Sequence, residues 1–334
     1  MRFLFYTLTC FILLQSIVLA QLVTTTQQEA LAIQKRILLV ALPEEDKYLL
    51  SEKQDHPEYI RIYKEDVVGQ RNAFQAMVIK HWTFTDSMVV LPYKEAKSLM
   101  KKNPDKFAML RYDDKSQDRI YVNTHDTIPI VAWTQANGKY YYHNASRYDF
   151  RELTVTSLVI ELPKRVLQVF LPKLSPSEGD FIYAIRQMNY ILTDVSKSEG
   201  RSTKDLQKER PQMAEQLKTK ILLLDINEMN REEGLINILE VEKHYPYPVQ
   251  LVNYNELENI LKSGDTRYVI AVHCRYDFHN STFYVSNAGD GTIYCQFIGP
   301  TFDYGNNIDK TNYLLRIHYP AINKLNLERY AMGK

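Results

Sequence analysis

Two stretches of the chain carry one pattern of apolar and polar positions. Gln28–Leu42 and Gln212–Ile226 each begin with apolar residues at helical spacing among Gln, Glu and Lys. Each then runs into a mostly apolar segment, Ile37–Leu42 or Ile221–Ile226, the second interrupted only by Asp225. That is the pattern of a short helix feeding a buried strand. Further matches follow in the same order. Lys80-His81-Trp82 answers Lys243-His244-Tyr245, and Val90-Leu-Pro-Tyr-Lys-Glu-Ala96 answers Leu251-Val-Asn-Tyr-Asn-Glu-Leu257. Arg111-Tyr112-Asp113 answers Arg275-Tyr276-Asp277. The offset falls from 184 to 163 and 161, then returns to 164. The pattern predicts an internal duplication, with an insertion of about 21 residues in the first copy between Leu42 and Lys80 that includes a strand at Tyr59–Tyr63.

In the second copy the periodicity predicts strands at 221–226, 249–254, 267–276, 282–287 and 292–297. Helices are predicted at about 228–243 and 254–262. Strand, helix and strand in succession imply a right-handed parallel crossover. Asp290-Gly291 marks a tight hairpin, and Asn137-Gly138 is expected at the matching place in the first copy, between Val131–Trp133 and Tyr140–Tyr142. The expected fold class is therefore α/β (α+β). It comprises two related units, each β-α-β-α-β followed by antiparallel strands in a mixed sheet. The expected boundaries are unit 1 at 21–165, with the insertion near 43–68, a connecting segment at 166–205, and unit 2 at 206–334. Within the connecting segment, Ser175 and Glu178 have capping-box spacing and Pro176 suits a first helical position. Phe181, Ile182, Ile185, Met188 and Leu192 then recur at helical spacing, which predicts a packed helix over about 176–194. The start Pro176-Ser177-Glu178-Gly179-Asp180 and the duplicated α/β units resemble a group of exported bacterial proteins. That resemblance covers most of the chain after residue 20, but the group has no assigned activity, so it implies no catalytic residue.

The first twenty residues change the picture of where the protein works. Arg2 precedes an apolar run from Phe3 to Ala20, and Val18-Leu19-Ala20 places compact residues at a cleavage site. A secretory signal over 1–20, cut before Gln21, is expected. The run is long enough to span a bilayer, but the polar Gln21–Thr26 lacks a basic stop-transfer flank. No later segment is apolar for long enough, so the chain after cleavage is expected to have no transmembrane segment and to be periplasmic or extracellular. Charge is balanced, at 41 Lys+Arg against 40 Asp+Glu. That removes a global basic field for nucleic acid. Export makes a disulfide between Cys274 and Cys295 permissible. A three-strand meander would nonetheless hold the two cysteines about 10 Å apart, so buried free thiols are expected.

The search for chemistry is mostly negative. The chain has no phosphate-binding glycine loop, no dinucleotide fingerprint, no nucleophile elbow and no HExxH pair. The acidic run Asp113-Asp114-Lys-Ser-Gln-Asp118 lacks the glycine and terminal glutamate of a calcium loop and is expected to be a solvated turn. Arg-Tyr-Asp occurs three times, as Arg111-Tyr112-Asp113, Arg147-Tyr148-Asp149 and Arg275-Tyr276-Asp277. One reading is an anion or sugar site, with Arg as fork donor, Asp as acceptor and Tyr as stacking plate. The simpler reading is a strand-end ion pair with the Tyr ring buried. His81 and His244, at matching positions, could meet across the units, but each fits better as a helix-terminating cation. His273, Cys274, His279 and Cys295 form a Cys/His cluster. His273 and Cys274 are adjacent on a strand, so they face opposite ways and no metal site is expected. Asn144-Ala-Ser146 and Asn280-Ser-Thr282 match glycosylation acceptors. The resulting expectation is an exported, non-enzymatic binding or envelope-associated protein with no cofactor, whose partner is an envelope protein or a glycan. The alternative is a hydrolase of an extracellular polymer using paired carboxylates.

Overall fold

The computed structural model describes residues 24–45, 47–52, 57–122, 133–136, 139–142, 149–172, 176–197, 199–226, 229, 233–275, 280–300 and 322–332. The first unit begins with α1 (Gln27–Gln34) and β1 (Ile37–Leu42), then α2 (Lys47–Glu52) and α3 (Pro57–His81). It continues with β2 (Met88–Pro92), α4 (Tyr93–Lys102), β3 (Phe107–Val122), β4 (Trp133–Ala136), β5 (Lys139–Tyr142), β6 (Asp149–Glu161), β7 (Arg165–Phe170) and α5 (Glu178–Ser196). The second unit runs through α6 (Thr203–Met213), a 3-10 turn (Ala214–Thr219), β8 (Ile221–Asp225), α7 (Ile238–Glu242) and β9 (Val249–Val252). It ends with α8 (Tyr254–Ser263), β10 (Tyr268–Arg275), β11 (Asn280–Asn287), β12 (Ile293–Pro300) and α9 (Lys324–Met332).

The two sheets share one topology. The first has the order β2-β1-β3-β6-β7 and the second β9-β8-β10-β11-β12, so the strand roles correspond one for one. In each, the first strand pairs parallel with the second and third, and the rest is antiparallel. The registers correspond as well. Leu38 faces Met88 and Ile37 faces Phe107, while Leu222 faces Val249 and Ile221 faces Tyr268. The parallel strands β1 and β8 are apolar on both faces because helices cover both.

Several expectations are corrected. Tyr59–Tyr63 is not a strand but part of α3. Tyr63, Val67, Gln70, Phe74 and Met77 recur at helical spacing and are all buried, and Pro57 opens the helix where a missing N–H does no harm. The insertion is therefore mostly a longer crossover helix. Of the helix expected at 228–243, residues 228 and 230–232 lie outside the described residues, 233–236 are not α-helical, and α7 starts only at its Asn237 cap, after Gly234 at φ 81°. The fifth strand of the first sheet is β7, which sequence had assigned to the connecting segment. β4 and β5 form their own two-stranded sheet, so they are not the counterpart of β11 and β12. Residues 137 and 138 lie outside the described residues. The β11–β12 turn is longer than two residues, and the Asn287 side chain accepts hydrogen bonds from Gly289 and Asp290 within it. The cap of α5 is Ser177 with Asp180, not Ser175 with Glu178. Asp180 N–H donates to Ser177 Oγ, and Ser177 N–H donates to Asp180 Oδ2.

Helix α5 is buried on nearly every side, as an all-round apolar helix must be. One core runs from α1, α3 and β1 through α5 into β10, β11 and α8. Within it Phe181 meets Phe74 and Tyr112 at 5.6 and 5.8 Å. A second core fills the far face of the second sheet, against the 3-10 turn, α7 and α9. A third lies between α4 and the outer face of the first sheet. Two polar side chains of α5 hold helix ends in both units. Asn189 Nδ2 donates to His81 O at 2.8 Å at the end of α3, and Arg186 Nη1 donates to Leu261 O at 2.5 Å in the last turn of α8. Arg186 also donates to Ala288 O in the β11–β12 turn. Cys274 and Cys295 are buried thiols not joined by a disulfide, in the cores on opposite faces of the second sheet, with β11 between their strands. Burial pushes both thiols up, that of Cys295 to about 12.

Candidate functional site

Of the three Arg-Tyr-Asp segments, the first is the one whose chemistry is visible. β3 alternates, so Leu110 and Tyr112 enter the α3–α5 core, while Met109, Arg111 and Asp113 take the other face. Tyr112 is therefore no stacking plate beside Arg111. Its ring packs edge-on against Phe181. On the outer face Arg111 Nη1 lies 2.5 Å from Asp113 Oδ1, and its Nε and Nη2 donate to Glu161 Oε1 at 3.0 and 2.8 Å. Arg165 Nη2 donates to Asp113 Oδ2 at 3.1 Å and its Nη1 to Gln168 Oε1 at 2.7 Å. Gln168 Nε2 continues the chain to Ser157 Oγ at 2.9 Å.

Strand register builds this network. Asp113 pairs with Ser157, Met109 with Glu161, and Glu161 with Arg165, so polar residues of β3, β6 and β7 share one face and lie within diagonal reach. The Arg111 and Asp113 side chains are only 12% and 10% exposed. Burial alone would lower the Arg111 guanidinium, but hydrogen bonds and charge from Asp113, then Glu161, outweigh it and hold it above its ordinary value. Two guanidiniums and two carboxylates cancel. This is a neutral, internally satisfied polar surface, not a cationic fork awaiting an anion.

The other sequence candidates do not join it. Arg147, Tyr148, Tyr276 and Asp277 lie outside the described residues. Asp149 opens β6 opposite Val122, and Arg275 closes β10 opposite Ser281. The segments around Arg111 and Arg275 are not structural equivalents. Ala41 faces Arg111, and the β8–β10 register carried two residues past Ile270–Leu223 places Val272, not Arg275, at the corresponding level. Asp113–Asp118 is not a turn but lies within β3, with a bulge between Ser116 and Asp118. His81 and His244 do not meet. His81 ends α3 beside Asn189, whereas His244 Nδ1 lies 3.0 Å from Glu328 Oε1 of α9. Burial, then Arg186 and Lys80, lower the His81 imidazole, which works against the helix-ending cation expected there. His273 stacks on Phe283 at 5.0 Å, whereas the Cys274 thiol is in the α5 core and donates to Phe170 O at 3.4 Å. His279 lies outside the described residues. Among the described residues, no group of three or more His, Cys, Asp and Glu is placed to hold a metal ion, and no helix is long and apolar enough to cross a membrane.

Sequence reasoning missed Ser157, Glu161, Arg165 and Gln168. The alternation Ser157-x-Val159-x-Glu161 is readable, but Arg165 stands at the last position of the expected unit and Gln168 falls in the expected connecting segment. The fold and this face define a two-unit α/β protein that keeps a charged sheet surface in one unit and buries the matching surface in the other. Compared with family models, curated proteins and solved structures, the chain matches none of them.

Proposed function

We propose that the protein is an exported, non-enzymatic binding module, and that its recognition surface is the outer face of the first sheet, where the partly exposed Glu161, Arg165 and Gln168 overlie the more buried Arg111–Asp113 pair. One observation supports this reading above others. The corresponding face of the second sheet, with Val272, Cys274 and Tyr284, is apolar and buried beneath α5, whereas the first unit carries a satisfied polar network there. A duplicated face that has exchanged core residues for an ordered polar array suits contact with a hydrogen-bonding partner, an envelope protein or a glycan. Both Asp113 and Glu161 are engaged by arginines. That is the arrangement of a structural network and gives the hydrolase reading no support.

The test uses the protein purified from the cells that export it. Immobilised protein is presented with a glycan array and with envelope extract, beside Arg165→Glu, Gln168→Arg and an α6 control, Lys208→Ala. The expected result is specific capture by the parent and the control, weakened at least about tenfold in the two face variants, with circular dichroism showing both variants folded although the loss of the Arg165–Asp113 pair lowers the melting temperature of Arg165→Glu. Capture undiminished in the face variants, or none by the parent, would overturn the assignment. Turnover of a polymer that depends on Asp113 and Glu161 would replace it with the hydrolase.

A further inference from the structure

The core-facing stripe of α6 contains a charge. Leu206, Arg210 and Met213 stand at i, i+4 and i+7, so they share the helix face turned towards the protein. Leu206 is 2% exposed and Met213 is half-buried, as an apolar stripe requires, but the position between them is an arginine only 8% exposed. A buried guanidinium is costly unless a carboxylate or several acceptors compensate it. Among the described residues Arg210 has one side-chain acceptor, Gln296 Oε1 of β12, which takes a hydrogen bond from Nη1. Gln296 is fixed in turn, because its Nε2 donates to Tyr284 Oη at 3.4 Å across the β11–β12 register.

No acid among the described residues balances this charge. The adjacent Glu209 turns to Arg201, which binds it at 2.7 Å and Asp194 at 2.6 Å, and Asp205 caps α6 through Ser202. Burial lowers the Arg210 guanidinium from its ordinary value, and the groups that oppose the lowering are Tyr284, Tyr190, Cys295 and Tyr183, none of them a carboxylate. The remaining nitrogens are not sealed in. Arg36 and Arg71 each bury a nitrogen with no partner, whereas no nitrogen of Arg210 is both fully buried and unpaired. Nε and Nη2, which have no acceptor among the described residues, therefore keep an opening to solvent.

A second donor converges on the same place. Tyr190 Oη of α5 donates to Met213 Sδ at 3.8 Å, one turn beyond Arg210 on the same stripe. A thioether is a weak acceptor, so the phenol still has its proton to offer. Burial, then Asp194, push the Tyr190 phenol up to about 12 against the pull of Arg210, which keeps it protonated and a donor at neutral pH. Where α5, α6 and β12 meet, a guanidinium edge and a phenol O–H thus stand without a strong acceptor, beside the Tyr190 ring and the Met213 side chain.

We propose that Arg210 and Tyr190 form a binding site for a carboxylate, seated where α5, α6 and β12 meet. The Nε–Nη2 edge of Arg210 matches the two oxygens of a carboxylate, and Tyr190 Oη supplies a third hydrogen bond. Charge selects this anion. One guanidinium neutralises one negative charge, whereas a phosphate dianion would leave a charge uncompensated beside Tyr190, Met213 and Tyr284. A free organic acid and the C-terminal carboxylate of a peptide present the same group. The site uses none of the residues of the recognition surface proposed above and does not rest on that reading.

Thermal unfolding of the exported protein, dialysed free of small acids, tests it. Acetate, N-acetyl-alanyl-alanine and inorganic phosphate are titrated at constant ionic strength, and each response is read as the difference between the parent and Arg210→Met, which cancels general salt effects. The parent should gain melting temperature saturably with a carboxylate and Arg210→Met should not. Without any carboxylate, Arg210→Met should melt at or above the parent, because an apolar chain of similar length replaces an unpaired buried cation. Tyr190→Phe, which leaves Arg210 in place, should raise the half-saturating concentration about tenfold. Tighter binding of acetate would assign a free acid, and tighter binding of the dipeptide a peptide terminus. An Arg210→Met protein that melts well below the parent, a carboxylate response equal in the two proteins or absent from both, or half-saturation unmoved in Tyr190→Phe would each overturn the proposal. A response to phosphate as large as that to either carboxylate would overturn the choice of anion.

Discussion

Two glycines show how single positions hold the units together. Gly291 sits in the β11–β12 turn at φ 78°, and a Cβ built on it would overlap the main chain of Arg186 and Gln187 in α5. Gly200 has a similar φ, 74°, but nothing lies within 4 Å of its Cβ position. Both positions charge an L side chain for left-handed backbone, about 1–2 kcal/mol. Only Gly291 adds a collision with the rigid backbone of a buried helix. Gly200→Ala should therefore destabilise by about 1 kcal/mol and Gly291→Ala by about 3 kcal/mol or more, measured by urea denaturation. Equal losses would mean that the turn is not seated on α5.

At the level of elements, the end of α3 carries a pH dependence. The His81 imidazole is lowered from 6.5, first by burial, then by Arg186 of α5 and by Lys80. A histidine with a folded value below its unfolded one binds its proton more readily in the unfolded chain. Its contribution is thus intact above about pH 6.5 and is lost as pH falls below it. His81→Gln should shrink the difference in unfolding free energy between pH 7.5 and pH 5.5. An unchanged difference would show that other groups carry the acid sensitivity. Sequence could not supply this, because the dipole argument for a terminal cation is local, whereas the burial and the Arg186 charge come from a helix more than a hundred residues away. The same division holds elsewhere. Apolar runs such as Ile221–Asp225 and the helical spacing of α5 were legible because burial on both sides leaves a strong pattern. Tyr59–Tyr63 misled because its β-favouring residues were judged over five positions, whereas Tyr63, Val67, Gln70 and Phe74 declare the helix over twelve. The Arg-Tyr-Asp repeats misled in register, because identical short strings carry less positional information than the pairing of β8 with β10. Glu161 and Arg165 were hidden because cross-strand neighbours are set by that pairing.

At the scale of the whole molecule, the duplication raises the question of whether two units mean two folding domains. The shared topology suggests that they could, since each sheet has its own helices. The packing argues the other way. α5 follows the fifth strand of the first sheet and belongs to that unit, yet Leu223, Ile270, Val272, Tyr284 and Ile293 of the second sheet lie in the core it completes. The N-termini of α1 and α6 are also joined. Gln27 N–H donates to Arg201 O at 2.9 Å, Thr203 N–H donates to Thr25 O at 3.0 Å, and Thr25 Oγ donates to Val166 O at 2.7 Å. Removing α5 from the second unit would expose several large apolar side chains, each worth about 1.5–3 kcal/mol of burial, against a typical domain stability of about 5–15 kcal/mol. Calorimetry should therefore record one transition, with calorimetric and van't Hoff enthalpies equal. A fragment of residues 199–332 should give a broad, uncooperative melt, and one of residues 176–332, which restores α5, should regain part of the cooperativity. Two resolved transitions in the intact chain, or a sharp melt for 199–332 alone, would show that the units fold independently and that α5 is only a connector.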